Sequence, residues 1–314
     1  MKKTFILGAG ASYPYGFPLG PTLKKEVISI INSSNHPYCR YLYSQFGLNP
    51  EVLSILASKI KESPVNSIDL FLSNHKSIPG MVHAGKMLIA FLINNREILD
   101  KLCAVENCWY TYLFNKILPL IKNDPSKLDE LELYIITFNY DRSLERFLLQ
   151  AIENSFDIKK GDAEKIVESF SEQHIIHIHG SLGNLSSFPY EFQGERLFSC
   201  YKDMAENIRI FHEQNETEII EKITTILDRS KEIHFLGFGY LPENLEKLKF
   251  TKTGVKVYRR NIYGSRHNVT SNELLEINRI CKSKCGYEIN FFINNYPNDN
   301  FDCYNYLRNC VSFY

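Results

Sequence analysis

The chain has 314 residues, with 36 Lys and Arg against 36 Asp and Glu, so its formal charge is zero. That balance excludes a strongly basic nucleic-acid binder. With 44% hydrophobic and 13% aromatic residues the chain can bury a sizeable core, which excludes disorder and fits two domains or one large α/β domain. The longest apolar stretches, such as Met87 to Ile93, fall far short of the roughly 20 residues that span a bilayer, and nothing near Met1 reads as a signal peptide. The expectation is a soluble, cytoplasmic protein whose eight cysteines are reduced thiols rather than a disulfide framework.

Thr4-Phe5-Ile6-Leu7 is a short buried-type run that stops at Gly8-Ala9-Gly10-Ala11-Ser12, the way the first strand of a doubly wound sheet meets a phosphate loop. Tyr13 to Pro21 mixes prolines and glycines with aromatics and reads as an ordered loop lying over whatever the glycine loop binds. From about 22 to 130 the chain reads as helical, with Asn49-Pro50 as a cap and first-turn pair before Leu53, Leu56 and Ile60. A strand returns at Leu133 to Thr137. Leu144, Phe147, Leu148, Ala151 and Ile152 then follow at the spacing of a one-sided amphipathic helix.

His174 to His179 reads as a strand ending at Gly180, and Ile233 to Leu236 as another ending at Gly237, with a helix over Asn215 to Arg229 between them. Val255 to Tyr258 and Tyr287 to Ile293 complete the expected strands. Alternation of this kind predicts an α/β, Rossmann-like, doubly wound and mostly parallel sheet, with its ligand beyond the carboxyl ends of the strands. The organisation is a core of 1–21 and 131–314 with 22–130 as a helical insertion after the first strand.

Three turns and one strand end carry candidate chemistry. In Gly8-Ala9-Gly10-Ala11-Ser12, small residues let backbone amides approach a pyrophosphate and Ser12 can add a hydroxyl. The hydride-transfer fingerprint wants a third glycine where Tyr13 stands and a helix opening at once. The loop is expected to offer neither, which disfavours a nicotinamide dehydrogenase, and a plain tight turn also explains the fragment. Thr137-Phe138-Asn139-Tyr140-Asp141 places Asn139 and Asp141 at the ligand edge near a helix N-terminus, although Asp141 as a simple cap would explain the turn alone. On a regular strand His177 and His179 share one face and His174 the other. His179, beside Gly180, is best placed to take a proton near neutral pH, with His174 and His177 packed or hydrogen-bonded inside. No second His or Cys pair at ligand spacing accompanies them, so no metal is expected. Gly237-Phe238-Gly239-Tyr240 repeats the glycine logic, with Asn244 one helical turn further on, and a plain turn explains it almost as well.

In order and type these four features resemble the sirtuin family: a GAG-S loop, a T-x-N-x-D turn, a strand ending in His-Gly, and a later Gly-rich strand end. The resemblance covers about 1–20 and 131–293. It implies that Gly8, Ala9, Gly10, Ala11 and Ser12 hold the pyrophosphate of NAD, with Thr137 in the same turn as Asn139. It further implies that Asn139 holds the ribose and the attacking water, that Asp141 binds the nicotinamide amide and that His179 is the general base. Gly237, Gly239 and Asn244 would line the adenosine-ribose side. Deacylating sirtuins carry two Cys-x-x-Cys pairs soon after His-Gly, where this chain has only Cys200; Cys281 and Cys285 come after the later strands and lack a second pair. Phe138 replaces the usual glutamine, and Tyr13 to Gly20 replaces the deacylase tract. These departures, together with Ser67-Ile68-Asp69-Leu70-Phe71-Leu72, are similar to bacterial sirtuin-like anti-phage proteins that degrade NAD.

The resemblance therefore implies an NAD hydrolase, with NAD as substrate and no metal. Two alternatives stay open: a sensor or scaffold that binds NAD or ADP-ribose without turnover, and a zinc-less deacylase or ADP-ribosyltransferase. An enzyme that destroys a central cofactor needs control, so a homo-oligomer and a regulatory partner are expected, such as the ring-shaped DNA-translocase ATPase known beside some family members. Lys24-Lys25, Lys159-Lys160 and Arg259-Arg260 are scattered and read as solvated faces, not as a nucleic-acid track.

Overall fold

The computed structural model describes residues 2–33, 36–46, 48–191, 197–210, 216–248, 261–291 and 301–313. Strand β1 (Lys3–Leu7) leads into a single helical turn, α1 (Ala9–Ser12), followed by a 3-10 turn (Tyr13–Tyr15) that Gly16 ends. The insertion follows as α2 (Gly20–Asn32), α3 (Pro37–Phe46), α4 (Pro50–Glu62), α5 (Ile68–Asn74), α6 (Met81–Asn94), α7 (Leu99–Cys103) and α8 (Trp109–Ile117). The chain then runs β2 (Leu133–Thr137), α9 (Ser143–Ser155), α10 (Lys160–His174), β3 (Ile175–His177), α11 (Leu197–Asn207), α12 (Glu216–Arg229), β4 (Glu232–Leu236), α13 (Pro242–Glu246), β5 (Asn261–Gly264), α14 (Ser271–Ile280) and α15 (Cys303–Cys310).

The five strands form one parallel sheet in the order β3-β2-β1-β4-β5, so the fold is the expected α/β doubly wound one. From the central β1 the chain winds outward through β2 and β3, then returns to β1's other side for β4 and β5. The direction of winding reverses between β1 and β4, which is where open α/β sheets bind ligands. No helix among the described residues is long and apolar enough to cross a membrane.

The pleat explains why one strand serves two cores. Phe5 and Leu7 face the side that packs against the insertion and α9 and α10, whereas Ile6 faces the side covered by α12 and α14. On the first side the core is continuous from Phe5 and Ile135 through Trp109 and Leu113 to Met87, Leu88 and Leu72, so the insertion shares a hydrophobic core with the sheet. Helix α6 is buried nearly all round and packs against α2, α4, α5 and α11. Asn49 caps α4 as the sequence predicts, accepting from the Glu51 amide with Pro50 in the first turn.

Two expectations change, and two expected strands fall wholly or partly outside the described residues. A helical turn does open at once after Gly8, contrary to the reading of that loop, because Ala11 and Ser12 are drawn into the buried interface. His174 is the last residue of α10 rather than part of a strand, and His179 lies beyond β3, which has only three residues. The ring of His174 is fixed between the Leu133 and Asp129 carbonyls at 2.9 and 3.2 Å and stacks on Phe170, contacts that a helix end supplies. The strand expected at Val255 to Tyr258 falls outside the described residues, and the described strand is Asn261–Gly264. Of Tyr287 to Ile293, Phe292 and Ile293 lie outside them, and the rest contributes one parallel bridge, Asn290 to Tyr263.

Candidate active site

The ends of β1 and β4 are held together by their backbones. Gly8 donates its amide to the Leu236 carbonyl at 3.0 Å, and Gly10 donates to the Gly237 carbonyl at 2.9 Å. A Cβ on Gly8 or Gly10 would lie 2.6 or 2.8 Å from the Gly237 oxygen. Gly237, with φ +56°, could not carry one without striking the Ala11 nitrogen. Three of the four glycines are therefore required by the contact between the two turns. Gly239 is different: it is exposed, and no atom lies within 4 Å of where its Cβ would be. Beyond it, Asn244 sits in α13 with its Oδ1 buried and without a hydrogen-bond partner among the described residues.

The β2 turn is tied to the same place. Phe138 donates its amide to the Leu7 carbonyl at 3.0 Å, and the Thr137 hydroxyl accepts the Asn139 amide at 3.0 Å, which shapes the turn. The Asn139 side chain donates through Nδ2 to the Gly8 carbonyl at 3.0 Å and to Ser12 Oγ at 2.9 Å. Asp141 Oδ1 accepts from the backbone amide and the hydroxyl of Ser143. Because the Ser143 proton goes to Asp141, the Tyr110 hydroxyl, 2.7 Å from Ser143 Oγ, is the donor in that contact. Burial pushes the Asp141 carboxyl above its usual range, against the hydrogen bonds from Ser143 and Ser12. Ser12, Asn139 and Asp141 thus form one connected group across β1 and β2.

His179 is 2% exposed. Around it stand Phe138 and Tyr140, with ring centroids at 5.7 and 6.1 Å, and Asp69, whose Oδ1 is 3.8 Å from His179 Nδ1 and also accepts the Tyr140 hydroxyl. His177 turns elsewhere: Nδ1 lies 2.9 Å from the Asn139 carbonyl and Nε2 2.7 Å from Glu145 Oε1. Burial opposes the charged His177 ring, but Glu145 and the Asn139 carbonyl outweigh it and raise its pKa above the ordinary value.

The insertion supplies several groups that sequence spacing does not reveal. Trp109 Nε1 donates to the Ala11 carbonyl at 2.8 Å, and Tyr15 stacks on Tyr110 at 4.2 Å, so part of the tract expected to overlie the ligand is buried instead. Tyr13, in contrast, is exposed. Glu97 and Arg142, both fully buried, form a two-pronged ion pair, and Arg142 also reaches the Gly183, Asn184 and Phe188 carbonyls. Asp69 had one local signal, a Ser67 cap accepting the Leu70 amide, but nothing in the sequence links position 69 to 179.

A cavity of about 380 Å³ lies on the outer side of β3, lined by His177, Glu145, Glu168, Arg209, Lys222 and Ile176 among others, and not by the glycine turns. The turns define the candidate site on chemical grounds, since they hold the convergent polar groups at the carboxyl ends of β1 and β2, next to the point where the sheet's winding reverses. No family model, curated protein or solved structure matches the chain.

Proposed function

We propose that the protein is a sirtuin-like NAD hydrolase that cleaves the bond between nicotinamide and ribose. The observation that carries this reading is the union of Ser12, Asn139 and Asp141 at the carboxyl ends of β1 and β2, next to the reversal point between β1 and β4, with a buried histidine beyond the adjoining strand β3. The open space at Gly239 suits a ribose, and the orphaned Asn244 Oδ1, which follows the turn in sequence, is an acceptor that a hydroxyl would satisfy. The amide of half-buried Ala9 and the Ser12 hydroxyl would meet the pyrophosphate, with Gly10 small so that it can approach.

The chemistry needs orientation, a water and a base. Both amide hydrogens of Asn139 are engaged by Gly8 and Ser12, which leaves Oδ1 to accept from the ribose and the attacking water. The C1′–N bond breaks with its electron pair passing to the nicotinamide nitrogen. Water adds to C1′ and gives a proton to His179, so the products are nicotinamide and ADP-ribose, or a cyclic form if an internal nucleophile replaces water. Asp141 would accept from the nicotinamide amide. The same reading places the protein in the cytoplasm as a homo-oligomeric NAD-depleting element of anti-phage defence. It would be gated by a protein partner such as a ring-shaped DNA-translocase ATPase.

A second reading, an NAD or ADP-ribose sensor without turnover, is favoured by the burial of Asn139, Asp141 and His179, each less than a tenth exposed. The deciding experiment is NAD consumption by purified protein, with products resolved by chromatography, for wild type, His179→Ala and Asn139→Ala. Loss of NAD that falls by at least ~10²-fold in both variants supports the hydrolase. Binding of NAD with no loss, even with a neighbouring gene product added, supports the sensor.

A further inference from the structure

Resting on the reading in which His179 takes the proton, we propose that Asp69 is the positioning residue for His179, and that the helical insertion is thereby a working part of the active site. Asp69 lies in the first turn of α5, where the Ser67 side chain accepts the Leu70 amide at 3.2 Å and the Ser67 hydroxyl lies 3.4 Å from Asp69 Oδ2. The neighbours Ile68, Phe71 and Leu72 are buried in the insertion core, so α5 has little freedom to roll or slide. Asp69 is itself 8% exposed, and its Oδ1 meets both the Tyr140 hydroxyl and, at 3.8 Å, Nδ1 of His179.

The physical argument concerns charge. A carboxylate removed from water is costly unless donors or a cation answer it. Ser67 and Tyr140 supply hydroxyls, while His179 is the group beside Asp69 that becomes a cation during the reaction. The pair therefore stabilises the imidazolium formed when His179 removes a proton from water. It also fixes the neutral tautomer with hydrogen on Nδ1, leaving the Nε2 lone pair as the base. A separation of 3.8 Å is longer than a hydrogen bond, and contacts of this kind tighten when substrate is bound.

Among the described contacts of His179, the other groups do not take this role. Phe138 offers a ring edge, and the Arg209 backbone amide donates to the His179 carbonyl while its guanidinium goes to the His177 carbonyl. Glu145 is committed to His177, and Asp141 Oδ1 to Ser143. The other insertion contacts follow the same plan: Trp109 holds the Ala11 carbonyl, Tyr110 the Ser143 hydroxyl and Glu97 the Arg142 guanidinium. Each candidate segment of the first two turns is buttressed from the insertion, and Asp69 extends that support to the base.

The test is an NMR titration of the His179 imidazole in wild type, Asp69→Asn and Tyr140→Phe, beside pH–rate profiles for NAD loss. Asp69→Asn is expected to lower the His179 pKa by about one unit and to move the acid limb of kcat/KM by the same amount. It should lower kcat by about 10²-fold, with KM within about 3-fold of wild type. Tyr140→Phe removes a competing donor from Asp69 and is expected to raise the His179 pKa. An unchanged His179 titration in Asp69→Asn overturns the proposal, as does an unmoved acid limb with kcat falling alongside thermal stability. If Asp69→Asn does not fold, a fall in the His179 pKa of Tyr140→Phe overturns it. The titration reads Asp69 even if NAD is never consumed, so failure of the proposed reaction and failure of the positioning role are distinguishable.

Discussion

Replacing Gly237 by alanine tests whether the two glycine turns are pressed together or merely permissive. The new Cβ would strike the Ala11 nitrogen and the Gly10 carbonyl carbon, both backbone atoms that cannot rotate away. Holding alanine at φ +56° costs about 1–2 kcal/mol, and overpacking adds about 1–3 kcal/mol. Parting the turns would also remove the Gly10-to-Gly237 hydrogen bond, worth about 1 kcal/mol. A loss of about 3–6 kcal/mol is expected. For 314 residues, with an unfolding entropy of about 2.1 cal/mol/K per residue, that lowers Tm by about 5–9 °C. Gly239→Ala places its Cβ in open space and should leave Tm within about 1 °C, while weakening NAD binding if the ribose lies there. Thermal unfolding of both variants without ligand, followed by NAD titration, gives the readout. A Gly237→Ala protein melting within 1 °C of wild type, or a Gly239→Ala protein melting as low as Gly237→Ala, would refute the close-packing argument.

Other outcomes follow from buried charge. His234 lies between Phe5 and Tyr263, with Nε2 3.4 Å from Glu232 Oε2, and burial, aided by the charge of Lys3, pushes its pKa down to about 3. A folded pKa below the unfolded value of about 6.5 means that this contribution is complete above that pH and is lost toward pH 3 at about 1.4 kcal/mol per unit. Denaturant midpoints should therefore fall between pH 7 and 5, and His234→Phe should flatten the fall. His177 has the opposite sign: its raised pKa adds stability below about pH 6.5 that disappears as pH rises through the folded value, and His177→Gln should remove that dependence. Glu97→Gln leaves Arg142 buried without its carboxylate and should cost about 3–5 kcal/mol in urea unfolding, whereas Glu97→Leu combined with Arg142→Met should recover most of that loss.

The sequence determined the elements whose cause is local. The short buried-type run Thr4 to Leu7, stopped by Gly8, makes β1 a buried central strand, Asn49-Pro50 starts α4, and the spacing of Leu144, Leu148 and Ile152 makes one face of α9 bury itself. Order along the chain also placed Ser12, Asn139 and Asp141 at strand ends, since a parallel sheet brings all its carboxyl ends to one edge. His174 reads as strand in the sequence because a helix running straight into a short strand leaves no turn residue to mark the boundary. What only the tertiary structure decided are contacts between distant segments. It showed that Gly8, Gly10 and Gly237 are small because they touch one another. It also showed that Trp109 and Tyr110 brace the turns, and that Asp69 reaches a histidine 110 positions later in the chain. Periodicity and capping act over a few residues, whereas these pairings arise only when the insertion and the sheet bury their apolar faces in one core.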